Sequence, residues 1–532
     1  MGILIIFGCA VQQKPHGGPK DVIPPKLLKA TPANQTHNFN SKVIKLDFDE
    51  LFKLNNMYQE ITVSPTFEKR QPEYKTSQKS LIITLKDTLQ KNTTYVINFG
   101  KAIGDLTENN ITKNLTYVFS TGSHIDSLSL SGNVTNIQTQ AREKDVTVML
   151  FTLRQDSLLF GKKKPTIFTT TDTSGNWTLS NLHEGVYKLY ALKESGGDKV
   201  YNNDNELIGI PGKIINLQTD STNIKLRLFK ATPDKFKFTD KRFESDGHLF
   251  FIFNRPVEKP SMQIIYPATQ NTEKIVEFNK TNDTAQLYVK NMDFDSLRVA
   301  LFENGKPLDS ASFRKGRRET YVRNLTIVTN SDNRNIIKQT DDYRFTANSP
   351  ISSFDPSLIT LNEDSTVLTS YFLKQDSTNL KKFTISYKWK LNSNYVITFK
   401  DGALVGYYGE KNRFITKRFK IDKPENYSQL TMKMIVPDTN RLYILEFYND
   451  QNNLIQRTRP FQYNQQIIFR SILAGKYHIK VIYDDNKNGR WDSGNLKQMR
   501  QPENIWVRTE AIPVRGNFDS DITIEIPPEP AP

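Results

Sequence analysis

The chain has 532 residues, 11% of them aromatic and 24% charged, and its formal net charge is +15. At about 100–200 residues per domain, this length predicts three to five domains, and the aromatic content excludes a globally disordered chain. Basic residues are interleaved with acidic ones rather than gathered along one stripe, which argues against nucleic-acid binding.

The N-terminus has the pattern of a bacterial lipoprotein signal. An apolar run at residues 3–7 is followed by Gly8 and by Cys9, the only cysteine of the chain. We therefore predict that Cys9 is the lipidation site and that the polar, Gly- and Pro-containing stretch 10–25 is a tether. The run is shorter than the about 7–15 apolar residues of a secretory signal and no Lys or Arg precedes it, so we expect a start site further upstream. The alternative is a buried N-terminal strand with a free thiol.

From Ile23 onward the chain alternates between apolar and polar residues with a period of two. In the segment 43–49, Ile44, Leu46 and Phe48 share one face, which predicts a half-buried strand. Segments 81–85, 95–99 and 117–122 have the same character. Short strands separated by turn signals predict a β-sandwich.

The rest of the chain continues as short strands and turns. Residues 131–189 alternate strands with Gly-containing turns and predict a second all-β unit that ends near Leu228. Residues 229–330 predict a third, with an alternating strand at 249–253. No segment has a sustained helical period with caps, so we expect few and short helices.

The chain also repeats itself. The segment 392–399 resembles 92–99 at an offset of 300, and 472–479 resembles 182–189 at an offset of 290. Two similar offsets predict a duplicated pair of domains around a central one. We predict an all-β, multidomain array of tandem β-sandwiches, divided as a signal, lipobox and tether at 1–22 and sandwiches at 23–125, 126–228, 229–330, 331–424 and 425–528.

Two parts of the chain carry a family resemblance. Residues 23–122 resemble the bacterial Ig-like domain found near the N-terminus of Bacteroidota lipoproteins, and the matching stretches are 17–21, 23–25, 46–50, 92–95 and 117–122. Residues 131–189 resemble prealbumin-like, carboxypeptidase-regulatory-type sandwiches through Asp172, Gly175, Leu182, Gly185 and Tyr187. The resemblance implies an outer-membrane lipoprotein with no catalytic residues to carry over.

One segment has the spacing of a metal site. Asp484, Asn486 and Asn488, followed by Gly489, match the first half of a calcium loop, and Asp492 stands at the ninth position. The bidentate Glu expected at position twelve is missing. The alternative is a hairpin in which the Asn-Gly pair makes a tight turn. We therefore predict no cofactor other than possible Ca²⁺ at this loop.

The sequence favours a non-enzymatic protein. The six histidines are widely spaced, and neither a G-x-S-x-G nor a phosphate-binding loop occurs. Asp47 and Asp49 alternate on one strand, where solvation is the usual role of such carboxylates. We expect a lipid-anchored outer-membrane scaffold or accessory subunit that binds a β-barrel or other envelope proteins during assembly or export, with its side of the membrane left open. The alternatives are a glycan-binding accessory lipoprotein and a hydrolase built from distant carboxylates.

Overall fold

The computed structural model describes residues 21–67, 70–316, 320–332, 334–338 and 340–528. The chain forms two compact units. Among the described residues, unit 1 contains 21–231 together with Ser493–Pro502, and unit 2 contains Thr232–Asp492 and 503–528. The predicted lipidation site, Cys9, lies outside the described residues.

The prediction of an all-β fold is confirmed. Strands dominate both units, and the longest helix in the described part of the chain is Leu153–Leu159. Five large hydrophobic core clusters succeed one another along the described part of the chain, one in each β-sandwich. A smaller cluster of Ile444, Ile482 and Ile505 lies in the fifth sandwich. In the described ranges, no helix is long and apolar enough to cross a membrane.

The first sandwich belongs to unit 1. Its elements are β1 (Leu27–Thr31), β2 (Val43–Phe48), β3 (Phe52–Leu54), α1 (Met57–Glu60), β4 (Thr62–Ser64), β5 (Glu73–Ser77), β6 (Ser80–Thr84), β7 (Thr94–Asn98), β8 (Ile103–Asp105) and β9 (Thr116–Ser120). The sheets have the strand orders β1-β2-β6-β5, β4-β7-β9 and β3-β8. Ile44, Leu46 and Phe48 of β2 are buried, as their alternation predicted. Asp47 on the opposite face pairs with Lys45 at 2.9 Å and accepts a hydrogen bond from the Ser80 hydroxyl at 2.5 Å.

The second sandwich also belongs to unit 1. Its elements are β10 (Leu128–Asn136), β11 (Thr147–Thr152), α2 (Leu153–Leu159), β12 (Ile167–Thr170), β13 (Asn176–Leu182), β14 (Gly185–Lys193), β15 (Leu207–Gly209), β16 (Ile215–Leu217) and β17 (Ser221–Lys230). The strand order is β12-β11-β14-β15-β17-β10-β13, with β16 paired to β14. Thus β12 and β13 are the two terminal strands of one sheet.

The third sandwich opens unit 2. Its strands are β18 (Phe238–Phe243), β19 (Leu249–Phe253), β20 (Ser261–Tyr266), β21 (Lys274–Phe278), β22 (Thr284–Val289), β23 (Ser296–Glu303) and β24 (Lys306–Arg314). They form sheets of order β18-β19-β22-β21 and β20-β23-β24. The β23–β24 hairpin turns at Asn304 and Gly305, which both have positive φ, as a two-residue turn requires.

The fourth and fifth sandwiches complete unit 2. The fourth contains β25 (Ile327–Thr329), β26 (Ile336–Ile337), β27 (Tyr343–Ala347), β28 (Ile351–Phe354), β29 (Ile359–Glu363), β30 (Thr366–Leu368), β31 (Phe372–Gln375), β32 (Lys382–Ser386), β33 (Asn394–Phe399), β34 (Leu404–Gly406) and β35 (Ile415–Ile421). The fifth contains β36 (Tyr427–Ile435), β37 (Leu442–Asn449), β38 (Leu454–Arg457), β39 (Gln465–Leu473), β40 (Gly475–Asp484), β41 (Ile505–Val507), β42 (Ile512–Val514) and β43 (Ser520–Glu525). Three short 3₁₀ helices, at Ala268–Asn271, Pro356–Leu358 and Pro424–Asn426, lie between strands of unit 2.

The first and fourth sandwiches share a topology. The order β1-β2-β6-β5 corresponds to β25-β27-β32-β31, and the pair β3-β8 corresponds to β28-β34. A hydrogen bond recurs at the offset of 300: the Gln90 amide donates to the Tyr95 hydroxyl at 2.9 Å, and the Lys390 amide donates to the Tyr395 hydroxyl at 2.8 Å. The repeated Tyr therefore closes the same turn in both copies.

The second and fifth sandwiches also correspond. Each has one parallel strand pair, β10 with β17 and β36 with β43, in an otherwise antiparallel sheet. At the offset of 290, the Tyr187 hydroxyl donates to the His183 carbonyl at 2.9 Å and the Tyr477 hydroxyl donates to the Leu473 carbonyl at 2.6 Å. Each bond ties a strand to the turn that precedes it.

The predicted tether is too long at its C-terminal end. The Asp21 carbonyl accepts a hydrogen bond from the Asn110 side chain at 3.0 Å, and the Pro25 carbonyl accepts one from the Thr112 hydroxyl at 2.6 Å. These bonds hold residues 21–25 against the first sandwich, so this end of the stretch belongs to the domain.

Gly132 of β10 gives a direct test of the parallel pairing. A Cβ atom at this position would meet the Ile224 carbonyl oxygen at 1.9 Å, where the register between β10 and β17 shifts. We predict that Gly132→Ala lowers the free energy of unfolding by at least about 2 kcal/mol, because the two backbones must separate. Thermal denaturation measures this effect. Ser131→Ala, one residue away, is the control, and equal stability of the two variants would contradict the close approach.

Candidate functional site

The predicted calcium loop begins at the end of β40. Asp484 is fully buried, and its carboxylate accepts hydrogen bonds from the Asn488 amide at 3.0 Å and from the Gly489 amide at 2.8 Å. A carboxylate that accepts two backbone donors folds the chain back within five residues. The Asp484 side chain therefore closes the loop by binding the loop's own backbone amides.

The structure brings all four predicted ligand residues together. The Asn486 side-chain amide donates to the Asp492 carboxylate at 2.6 Å, and the Asn488 side-chain amide donates to the same oxygen. In the described part of the chain, no group of three or more His, Cys, Asp and Glu residues is arranged to hold a metal ion. Calcium binding therefore stays a prediction, and the hairpin stays its alternative.

Glu503 also belongs to this loop, although no sequence motif indicated it. Its carboxylate accepts hydrogen bonds from the backbone amides of Asp485 at 3.0 Å and Asp492 at 2.9 Å. Glu503 lies well beyond position twelve and returns to the loop because β41 pairs with β40, with Ile505 opposite Ile482. Recognising it would have required the strand pairing, because the spacing along the chain carries no signal.

The environment of Glu503 favours its neutral form. Burial raises the pKa of Glu503 to about 7, against hydrogen bonds from the Asp492 and Asn486 amides that lower it. The nearby carboxylates of Asp492 and Asp484 raise it further by charge repulsion. Trp491 covers the loop, packs against Ile444, Ile482 and Ile505, and donates its indole N–H to the Glu503 carbonyl at 2.9 Å.

The corresponding loop of the second sandwich is closed in the same way, by a carboxylate that accepts two backbone amides, but with different residues. The Glu194 carboxylate accepts hydrogen bonds from the Asp198 amide at 3.0 Å and from the Lys199 amide at 2.7 Å. These donors stand four and five residues after the acid, as Asn488 and Gly489 stand after Asp484. The shared feature of the two loops is thus a carboxylate that captures backbone amides.

A cleft of about 540 Å³ lies within unit 1, between the first and second sandwiches. One wall is a sheet face, because alternate residues of β7 line it: Thr94, Val96 and Asn98, with Thr116 of β9 beside them. The other wall is formed by β12 and β13, where consecutive residues line the cleft, 166–169 and 178–182. Consecutive lining residues indicate that these strands approach the cleft with their backbone edges.

Side chains of the first sandwich cap the edge of β12. The Asn114 side-chain amide donates to the Thr170 carbonyl at 2.9 Å and accepts from the Thr170 amide at 3.0 Å. The Asn98 side chain donates to the Phe168 carbonyl at 2.6 Å. An Asn side chain has one acceptor and two donors, so Asn114 satisfies both groups of one residue.

Ion pairs support the same junction. Lys199 and Glu60 form a pair at 2.7 Å in which both side chains are nearly buried, and Lys113 pairs with Asp145 at 2.6 Å nearer the solvent. The buried pair is sensitive to the loss of either partner, because a lone charge would stay in a low dielectric. The first and second sandwiches are therefore held together by directional contacts.

The lining of this cleft is nearly free of charge. Amide and hydroxyl side chains dominate it, and among the lining residues Asp126 is the one carboxylate and His183 the one imidazole. These two lie within 3.1 Å of each other. Burial raises the pKa of the neighbouring Tyr187, which stays neutral.

Two further lining residues, Thr152 and Gln155, form the capping box at the start of α2. The T-x-x-Q pattern of this box is present in the sequence, but the sequence analysis predicted no helix here.

Unit 2 contains a second pocket, of about 340 Å³, where the fourth and fifth sandwiches meet. Lys338 and Arg470 line it together with Asp422 and Asp519. The Ser428 hydroxyl is buried there without a hydrogen-bond partner among the described residues. This pocket has mixed charge, in contrast to the cleft in unit 1, whose lining residues include one carboxylate and no Lys or Arg.

Comparisons with known proteins identify one domain. No curated protein sequence matches the chain. The major pilin subunit BcpA of Bacillus cereus matches at 9% identity over 75% of this chain and 99% of that chain, with a TM-score of 0.14. The Bacillus anthracis TIE protein matches at 11% identity over 96% and 75%, with a TM-score of 0.15. The S-layer protein SbsC matches at 10% identity over 92% and 67%, with a TM-score of 0.16. The family model described as a bacterial Ig-like domain matches residues 21–121, and the first sandwich is such a domain.

Glu503 makes the stability of the loop depend on pH. Because folding raises its pKa from 4.5 to about 7, the folded state keeps a proton that the unfolded state has lost. Its stabilising contribution is complete below 4.5 and is lost as the pH rises through about 7. We predict that the melting temperature falls more steeply from pH 5 to pH 8 in the wild type than in Glu503→Gln, which mimics the neutral acid.

Calcium supplies the second arm of this experiment. An ion that binds the loop prefers ionised carboxylates and stabilises only the native state, so Ca²⁺ at pH 8 would raise the melting temperature of the wild type. Asp492→Asn would abolish that shift, and Asp198→Asn in the corresponding loop would not. Identical pH profiles of wild type and Glu503→Gln would contradict the raised pKa, and an absent calcium shift would favour the hairpin.

Proposed function

We propose that the chain is a lipid-anchored, non-catalytic scaffold of the outer membrane that binds other envelope proteins. The partner we propose is an integral β-barrel or another component of an assembly or export complex. The observation that carries this proposal is a series of five β-sandwiches in which several exposed apolar residues, among them Val328, Phe372, Leu454 and Ile455, lie on terminal strands of their sheets.

The terminal strands of unit 2 offer such residues for binding. Val328 of β25 is 73% exposed, Phe372 of β31 is 65% exposed, and Leu454 and Ile455 of β38 are each about half exposed. Terminal strands also present unpaired backbone groups, which another polypeptide can pair with. An apolar strand edge is thus suited to a protein partner.

A glycan-binding surface would have a different appearance. Sugars are usually bound by a row of exposed aromatic rings with polar flanks, whereas the most exposed aromatic residues here are spread over four sandwiches: Tyr58, Tyr266, Phe372, Phe414, Tyr463 and Phe518. This distribution favours a protein partner over the glycan alternative.

A lipid anchor at Cys9 and the net charge would both favour a position at the membrane. Lipidation at Cys9 would keep the sandwiches close to the membrane surface and raise their effective concentration near other envelope proteins. The formal net charge of +15 suits a position beside anionic headgroups, where each nearby Lys or Arg contributes about 1 kcal/mol.

Purification from native membranes at natural expression tests the proposal. With a complete signal upstream, we predict that the wild type fractionates with the outer membrane, carries lipid on Cys9 and co-elutes with an integral β-barrel in mild detergent. Cys9→Ser is the matched control and should appear in the soluble fraction. Elution as a free monomer that binds oligosaccharide or turns over a substrate would contradict the scaffold and favour an alternative.

A further inference from the structure

We propose that the cleft of unit 1 binds an extended, uncharged peptide segment of a partner protein, which pairs as an added strand with β13. This inference rests on the proposed scaffold function and assigns one docking position and the chemistry of the docked segment. It follows from the edge of β13, the shape of the opposite wall and the charge of the lining.

The backbone edge of β13 is the edge available in this cleft. As the last strand of its sheet, β13 pairs with β10 on one side only. The facing edge of β12 is instead occupied by Asn98 and Asn114 of the first sandwich. Backbone N–H and C=O groups at a strand edge need partners, and an extended peptide supplies both kinds at the spacing of a β-ladder.

The part of β13 that borders the cleft sets the length of the peptide segment that can dock there. The strand borders the cleft from Thr178 to Leu182, and His183 follows at its end. Six residues in extended conformation span roughly 20 Å. A docked segment of this length would form a short strand, which is enough for specific pairing when one face is also packed.

The opposite wall selects the side chains of the segment. Thr94, Val96 and Thr116 present small or β-branched side chains from a sheet face, and all three are only half-buried. In a strand, every second side chain would point at this wall. The geometry therefore favours Val, Thr or Ser at alternate positions, because bulky side chains would fill the cleft before the backbone could pair.

The composition of the lining disfavours a charged segment. Lys, Arg and Glu are absent from the lining residues, although they are frequent in the chain as a whole. The Asp126 carboxylate is paired with His183, and the Asp126 amide donates to the Thr94 hydroxyl at 2.9 Å. A buried Lys or Glu on the ligand would lose its hydration without gaining a free counter-charge.

The internal repeat supplies a matched control. Val396 of β33 is the counterpart of Val96 at the offset of 300, and it is half-buried in the same strand position. It does not line the described pocket of unit 2. Val96→Arg and Val396→Arg therefore make the same chemical change on equivalent strands, but only the first places a charged side chain in the cleft.

The experiment uses the full chain and a displayed library of random linear peptides. We expect selection to enrich uncharged peptides with β-branched residues. A selected peptide should bind Val96→Arg at least about tenfold more weakly than the wild type in fluorescence anisotropy, and bind Val396→Arg normally. Thr116→Arg on the same wall should repeat the loss if Val96→Arg alone unfolds. Hydrogen exchange should show protection of amides in 178–182 when the peptide binds.

Three outcomes would overturn the assignment. One is that no selected peptide distinguishes the wild type from both Arg variants. Another is that maltoheptaose, a neutral oligosaccharide, binds the cleft and is lost in these variants while peptides do not bind. The third is self-association of the wild type that Val96→Arg abolishes, which would make a second copy the occupant.

Failure of this inference is distinguishable from failure of the proposed function. If Val96→Arg still co-purifies with the same envelope protein as the wild type, the docking position is wrong and the scaffold function stands. If selected peptides bind β13 as expected while no envelope protein co-purifies, the cleft assignment stands and the scaffold function fails.

Discussion

The terminal strand of a β-sheet leaves a row of backbone N–H and C=O groups without partners, and this constraint governs the structure of unit 1. Asn114 and Asn98 of the first sandwich pair with Thr170 and Phe168 of β12, so one domain satisfies the sheet edge of the next. The buried Lys199–Glu60 ion pair reinforces the junction. Because β12 is capped by side chains, β13 is the strand whose edge we propose as the pairing position in the cleft.

In the two copies of the internal repeat, the equivalent terminal strand is capped in one copy and exposed in the other. In both copies the β7–β9 ladder places a Phe opposite the repeated Tyr, Phe119 with Tyr95 and Phe419 with Tyr395. Counting back along these ladders, the capping Asn114 corresponds to Phe414, an exposed residue whose side chain has no amide group. The strand that corresponds to β12 is β38, and all four of its residues are exposed. The copy that lacks the capping side-chain amide thus has an exposed terminal strand, β38.

The sequence predicted the all-β class because inward-facing positions such as Ile44, Leu46 and Phe48 alternate strictly with polar ones. This alternation is a local pattern, so it can be read without knowing how the strands pair. The sequence also grouped Asp484, Asn486, Asn488 and Asp492, which are neighbours along the chain. It could not predict Glu503 in the same loop or the contact of Asn114 with Thr170, since both depend on strand pairing and domain docking across long separations. The cleft was missed for the same reason: its walls come from β7, β12 and β13, and its lining is ordinary Thr, Ser and Asn.

Hydrogen exchange at the edge of β12 tests most directly whether the first sandwich caps the second. Asn114→Ala removes the acceptor of the Thr170 amide and the donor to its carbonyl, and Asn110→Ala removes an amide of the same loop that contacts Asp21 instead. At roughly 1–3 kcal/mol for an unsatisfied buried group, exchange of the Thr170 amide should accelerate by about tenfold or more in Asn114→Ala and stay unchanged in Asn110→Ala. Unchanged exchange in Asn114→Ala would contradict the account, because the edge of β12 would then be protected by something other than the first sandwich.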